Sequence, residues 1–257
     1  MALDYKYRPK DDQLTASRDA AQMYRILKRG NNENIKIVLD QTPGTPEFPT
    51  REAFLHYLRM SAAECRPGDW FVFFYAGHGI NVPDRNGDEA DGLDEAFVTP
   101  TIDGKLVMSK FLVDDDFAVA LDTFVPWGVR ILVLCDCCHS GTICDIDTYN
   151  YDHQIYQMAA SQDDEEAEDT GYGGRFTVSL ARTVQILALE YGNAEFSIQE
   201  VFDGCQSRAD TKLQSLNFQW RGMDPNIVAW PLCYPWWEYL LQPMPAMAVG
   251  PAEIYGR

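Results

Sequence analysis

Arg130-Ile-Leu-Val-Leu-Cys-Asp-Cys-Cys-His-Ser-Gly141 decides the reading of this chain. Ile131 to Cys135 is an unbroken apolar run rich in strand formers. A strand apolar on both faces belongs in the middle of a parallel sheet covered by helices. The chemistry then changes within one residue: Asp136, Cys137, Cys138, His139 and Ser140 are reactive or polar, and Gly141 closes the turn. Open α/β sheets build their sites just beyond the carboxyl ends of strands. A cysteine there serves as a nucleophile if a neighbour removes its proton.

The candidate neighbour lies upstream. Trp70-Phe-Val-Phe-Phe-Tyr75 is a second apolar strand, and it runs into Ala76-Gly77-His78-Gly79. The glycines flanking His78 let the backbone approach a substrate closely. A lone Cys or His at a strand end is usually structural. Two core strands ending in His and Cys are what a Cys/His hydrolase needs. The interval between them leaves room for a hairpin and a crossover helix.

Tyr75-Ala-Gly-His-Gly79 and Asp136-Cys-Cys-His-Ser-Gly141 resemble the two signature motifs of the metacaspases, in the caspase-like clan of cysteine peptidases. The animal caspase signature Gln-Ala-Cys-x-Gly is absent. The resemblance runs from about Leu14 to about Pro231. It implies a three-layer α/β caspase-like sandwich with a mostly parallel central sheet flanked by helices. It also implies one peptidase domain over 1–257: a large-subunit-like part (about 1–160), an acidic connecting loop (161–174), a small-subunit-like part (175–234) and a tail (235–257).

The resemblance also assigns roles. Cys138, directly before His-Ser-Gly, is the expected nucleophile, with Cys137 as a neighbour and His139 as a structural residue. His78 is the expected proton-transferring partner. The backbone N–H groups of Gly79 and Cys138 are the expected oxyanion hole. Asp19, in Leu14-Thr-Ala-Ser-Arg-Asp-Ala-Ala21, matches the acid that lines the family's specificity pocket. With Asp136 it implies cleavage after Arg or Lys. Ala76 stands where the family often has a pocket-lining Ser. Asp94, Asp114, Asp115 and Asp145 match the family's calcium ligands, and hard carboxylate oxygens suit Ca²⁺. Acidic residues in the first turn of a helix are otherwise ordinary partners of its dipole, so the residues alone leave both readings of Asp114 and Asp115 open. A second functional reading is a calcium-regulated binding or scaffold protein with a caspase-like fold and little or no peptidase activity.

Composition bounds the rest. The 257 residues are 46% hydrophobic, enough for a sizeable core. A net charge of −18 argues against nucleic acid and acidic membranes, and suits a basic peptide or a divalent cation. Seven cysteines, four of them between Cys135 and Cys144, do not form a disulfide framework. Zinc is disfavoured because no second separated ligand pair exists. With no transmembrane run and no signal-like start, a cytoplasmic, monomeric protein is expected.

Among the elements, the pattern predicts short strands at Ala2–Tyr7, Ile35–Leu39, Asp94–Pro100 and Tyr156–Ala160, and a last strand over Asp224–Trp230. It predicts helices over Thr15–Arg29, Thr50–Ala63 and Phe176–Tyr191, one opening at Leu112–Asp116, and one at Phe196–Val201 with a Ser197/Glu200 capping box. From His139 to Gly174 there is no Arg or Lys, so a peptidase selective for basic residues has nothing to cut in its own connecting loop.

Overall fold

The computed structural model describes residues 1–30, 32, 34–87, 92–162, 173–192, 194–209 and 215–232. The elements follow in the order α1 (Ala16–Arg29), α2 (Arg51–Ala62), β1 (Trp70–Ala76), β2 (Gly79–Pro83), β3 (Leu93–Phe97), β4 (Leu112–Val113) and α3 (Asp114–Phe124). Then come β5 (Arg130–Asp136), β6 (Ile155–Ala159), α4 (Arg175–Tyr191), α5 (Ile198–Arg208) and β7 (Asn217–Arg221).

The central sheet has the order β1-β5-β6-β7. β1, β5 and β6 are parallel neighbours, and β7 closes the far edge antiparallel to β6. Parallel neighbours cannot be joined by a tight turn. The chain between β1 and β5 therefore forms the small antiparallel sheet β2-β3-β4 and then α3.

Alternation along the strands divides the core in two. Phe71, Phe73 and Tyr75 share one face with Ile131, Val133 and Cys135, and pack against Phe54 of α2 and Phe117 of α3. Phe97 of β3 sits among these rings, 5.5 Å from Phe54 and 5.1 Å from Phe117 between centroids. Phe74, Ala76, Leu132 and Leu134 face the other way, onto Met23 of α1, Phe176 and Leu180 of α4, and Ile198 of α5. The result is the three-layer α/β arrangement expected from the sequence. Thr50 caps α2 through Ala53 N–H, and the Ser197/Glu200 capping box on α5 is formed.

Three expectations are corrected. Ala2–Tyr7 and Ile35–Leu39 do not form strands; Ala2 makes only isolated parallel bridges to Leu39 and Ala76. The Asp40 carboxylate takes the N–H groups of Asp4 and Tyr5, both at 2.7 Å, and Tyr5 turns left-handed at φ 53°. Side-chain capture of those donors ends the ladder. Asp224–Trp230 is not a strand either: only Ala229 bridges, to Ser197. Asp224 instead caps a turn, accepting from Asn226 N–H at 2.9 Å. The edge strand is Asn217–Arg221, whose polar–apolar alternation is itself a strand signal. The acidic run Asp163–Asp169, Asp88–Asp91 and the Trp236/Trp237 tail lie outside the described residues.

Phe117 is fully buried in the aromatic core. Phe117→Ala is expected to lower stability by about 3–5 kcal/mol, whereas Ile227→Ala, at a side chain 70% exposed, should change it by less than about 0.5 kcal/mol. Urea unfolding of the two variants checks the contrast.

Candidate functional site

β1 and β5 deliver the two motifs to the same edge. Their register pairs Tyr75 with Cys135 and Ala76 with Asp136, so both strands end at one level. Just beyond, Gly79 packs onto the backbone of Cys138: a Cβ on Gly79 would collide with the Cys138 carbonyl oxygen. The glycine after His78 is therefore a close-approach residue, and what it approaches is the cysteine motif.

The turn after β5 is held from below. His139 takes the left-handed conformation at φ 47°. The buried Ser140 hydroxyl donates to the Cys137 carbonyl at 2.8 Å, and Ser161 Oγ donates to the same oxygen at 3.2 Å. Gln157 Nε2, on β6, donates to the carbonyls of Ser140, at 3.0 Å, and Gly141. The turn separates the two adjacent thiols. Cys137 points into the core, and burial followed by the Cys135 thiol raises its pKa well above the usual range. Cys138 is only half-buried. Cys135, Cys137 and Cys144 are free thiols in the apolar core, and among the described residues no Cys/His group converges as a metal site.

His78 is held on three sides. Its Nε2 lies 2.7 Å from the Asp12 carbonyl oxygen. A carbonyl only accepts, so Nε2 carries the proton and Nδ1 is the basic nitrogen. The Tyr5 ring lies 4.7 Å from the imidazole between centroids. His78 N–H donates to the Tyr5 hydroxyl at 3.2 Å, and the Tyr75 hydroxyl donates to the His78 carbonyl at 3.0 Å. Burial pushes the pKa of both phenols up, so they remain neutral hydrogen-bonding groups. Sequence reasoning missed Tyr5, Asp12 and Asp40. Asp12 acts through a main-chain atom, which leaves no side-chain signature.

Asp19 and Asp136 meet at the start of α4. Both are buried, at 3% and 7% exposure. Gly174 N–H donates to Asp19 Oδ1 at 2.9 Å. Thr177 donates to Asp136 Oδ2 twice, from N–H at 2.8 Å and from Oγ1 at 2.7 Å. Ala76, beside Asp136 in the register, is buried with them.

The acidic residues behave differently from one another. Oxygens of Asp94 on β3 and of Asp114 and Asp115 at the start of α3 lie within 4.8 Å of one another. Burial, then the Asp115 and Asp84 carboxylates, push Asp94 up to about 6. Burial raises Asp114 to about 7, with Asp94 and Asp115 adding to the rise, although N–H bonds from Asp115 and Glu95 oppose it. Asp94 Oδ2 is buried with no hydrogen-bond partner. An orphaned oxygen among crowded carboxylates suits a divalent cation. Asp145 lies outside this convergence; it is buried and left-handed at φ 47°. It is still close enough that, after burial, its charge and that of Asp114 raise the neighbouring Cys144 thiol. Buried Glu95 links the cluster to the cysteine turn. Its N–H donates to Asp114 at 2.5 Å, and its carboxylate accepts from the Thr142 hydroxyl.

Residues 2–147 match the family described as metacaspase, peptidase C14 domain. The chain is 33% identical over 140 residues to metacaspase-2 of Arabidopsis thaliana, covering 53% of this chain and 32% of that protein. It is 35% identical over 119 residues to metacaspase-1 of Kluyveromyces lactis, covering 46% and 26%. It is 35% identical over 132 residues to metacaspase-2 of Trypanosoma brucei brucei, covering 50% and 37%. The chain thus spans between about a quarter and just over a third of the length of these relatives. A crystal structure of a Geobacter sulfurreducens protein shares the fold, with a TM-score of 0.64 at 22% identity over 92% of this chain and 97% of that one. With more than half of its residues matched, the chain belongs to the metacaspase peptidase family. The match stops at residue 147, short of the resemblance read in the sequence, which ran on to about Pro231.

The raised pKa values carry a sign. Asp94 and Asp114 bind protons more tightly folded than unfolded, so between about pH 4 and pH 7 the native state holds more protons and stability falls as pH rises. In chelator, the melting temperature should therefore drop across that window. Asp94→Asn should flatten the drop and raise the melting temperature at pH 7.5 by roughly several degrees. Differential scanning calorimetry over pH checks both.

Proposed function

We propose that this protein is a calcium-dependent cysteine endopeptidase that cuts peptide bonds after Arg or Lys through a Cys138/His78 dyad. One observation carries the reading. The half-buried Cys138 backs directly onto Gly79, while the Asp12 carbonyl holds His78 in the tautomer that leaves Nδ1 basic.

In this mechanism His78 Nδ1 takes the Cys138 thiol proton, and the thiolate attacks the scissile carbonyl carbon. The N–H groups of Gly79 and Cys138 receive the developing oxyanion; each such donor typically contributes about 3–4 kcal/mol to the transition state. The C–N bond breaks as His78 returns the proton to the leaving amine. His78 then deprotonates a water molecule, which hydrolyses the thioester and frees the thiol. Asp19 and Asp136 receive the cationic side chain before the scissile bond, since a carboxylate holds a guanidinium bidentately.

Asp94, Asp114 and Asp115 would hold the calcium ion, with Asp145 as the fourth residue of the set. Bound there, Ca²⁺ supplies charge neutralisation among buried carboxylates. Glu95 and Thr142 carry that relief to the cysteine turn. The chain works as an uncut monomer in the cytoplasm, with its large- and small-subunit-like parts in one peptidase domain; the connecting loop holds no basic residue to cut.

Cys138→Ala is expected to abolish hydrolysis of a fluorogenic Arg-peptide, while Cys137→Ala keeps most of it. A thiol-reactive substrate analogue should label Cys138, and labelling of Cys137 alone would sink the assignment. Excess chelator should lower the rate at least about tenfold, and titration calorimetry should register calcium binding that Asp94→Asn weakens. Full activity in chelator overturns the calcium part. A profile preferring Asp before the scissile bond overturns the specificity.

A further inference from the structure

We infer that Thr177, seated by Gly174, is the specificity-determining positioning residue that sets the plane of the Asp136 carboxylate and with it the preference for Arg over Lys. The inference rests on the reading of Asp19 and Asp136 as the pocket for the basic side chain.

Asp136 is the last residue of β5, and its side chain has two rotatable bonds. Its orientation is set from outside the motif. Thr177 is the third residue of α4, whose first N–H groups have no intrahelical partner. Gly174, at the cap position, has no side chain to satisfy them, and no side-chain cap is formed. The Asp136 carboxylate, from another element, takes one of them, the Thr177 N–H, and its negative charge suits the positive end of the helix. The Thr177 hydroxyl adds a second bond to the same oxygen. Two donors from one fully buried residue fix that oxygen, and so the plane of the carboxylate.

Gly174 fixes the orientation by shape. Its backbone, at φ −69° and ψ 149°, is one that any residue adopts. Conformation therefore does not require glycine there. Close approach does, because a Cβ at this position would strike both oxygens and Cγ of Asp136. The same glycine donates its N–H to Asp19. One turn of backbone thus seats both carboxylates.

The consequence differs for the two basic side chains. A guanidinium is planar and needs a carboxylate plane that matches its fork, whereas an ammonium is a point charge indifferent to it. Loosening Asp136 should weaken Arg more than Lys. A residue that served folding alone would lower both substrates together.

The experiment measures kcat/KM for matched Arg and Lys peptides in Thr177→Val, Thr177→Ser, Gly174→Ala and Asp136→Asn, with calcium present. The rate of iodoacetamide labelling of Cys138 monitors the dyad. Thr177→Val is expected to lower the Arg-to-Lys ratio about tenfold, the worth of one hydrogen bond to a charged group. Thr177→Ser should keep the ratio and Gly174→Ala should lower it, with labelling unchanged in the Thr177 and Gly174 variants. An unchanged ratio in Thr177→Val and Gly174→Ala, while Asp136→Asn weakens both peptides, overturns this inference and leaves the pocket reading standing. No effect of Asp136→Asn on either peptide overturns the pocket reading and this inference with it. Should Thr177→Val not be recovered folded, Gly174→Ala decides by the same ratio.

Discussion

The parallel pairing of β1 with β5 is the constraint on which the rest of the structure depends. It sets Ala76 beside Asp136 and so brings a histidine and a cysteine, far apart in the chain, to one edge of one sheet. Hydrogen bonds of the strands alone would align the two ends but not bring them into contact. The last step is made by Gly79, whose missing side chain lets one motif rest on the backbone of the other. Below the contact, Gln157 on β6 and Ser161 just after it tie the turn to the sheet, and Ser140 closes the turn on itself, all through buried bonds. Unmade, each such bond would leave a buried polar group at a cost of about 1–3 kcal/mol. The turn is therefore part of the core and not an appended loop.

The crossover that parallel pairing demands is also where the acidic residues sit. Asp94 on β3 and the pair at the head of α3 are pressed together inside that connection. Glu95 accepts from Thr142 and donates to Asp114, so one residue touches both the cluster and the segment just after Cys138. The requirement to cross over and the crowding of three carboxylates arise from one piece of chain.

Much of this was legible in the sequence, for identifiable reasons. The apolar runs Ile131–Cys135 and Trp70–Tyr75 mark central strands because both faces are covered, and the reactive residues follow abruptly at their ends. The capping box at Ser197 and Glu200 is a local pattern with a local result. What was not legible depends on distant partners. The strand expected at Ala2–Tyr7 is cut short by a carboxylate at position 40. The expected last strand is displaced because Asp224 closes a turn, while Asn217–Arg221 takes the edge. Three of the four carboxylates expected to act together do converge, but Asp145 stands apart in a left-handed turn. The anchoring of Asp136 by a helix that begins some forty residues later leaves no mark on the motif itself.

The carbonyl of Asp12 gives the histidine its orientation, and this has a consequence for heredity. A main-chain oxygen is supplied by whatever residue occupies the position. Drift at codon 12 leaves the oxygen in place, and alanine there would remove the side chain's ion pair with Arg8 but not this contact. What removes it is a change in the path of the chain: a deletion or insertion in the segment around Lys10–Asp12, or loss of the contacts that lay it across the imidazole. The length of that segment, and not its spelling, is the quantity under constraint.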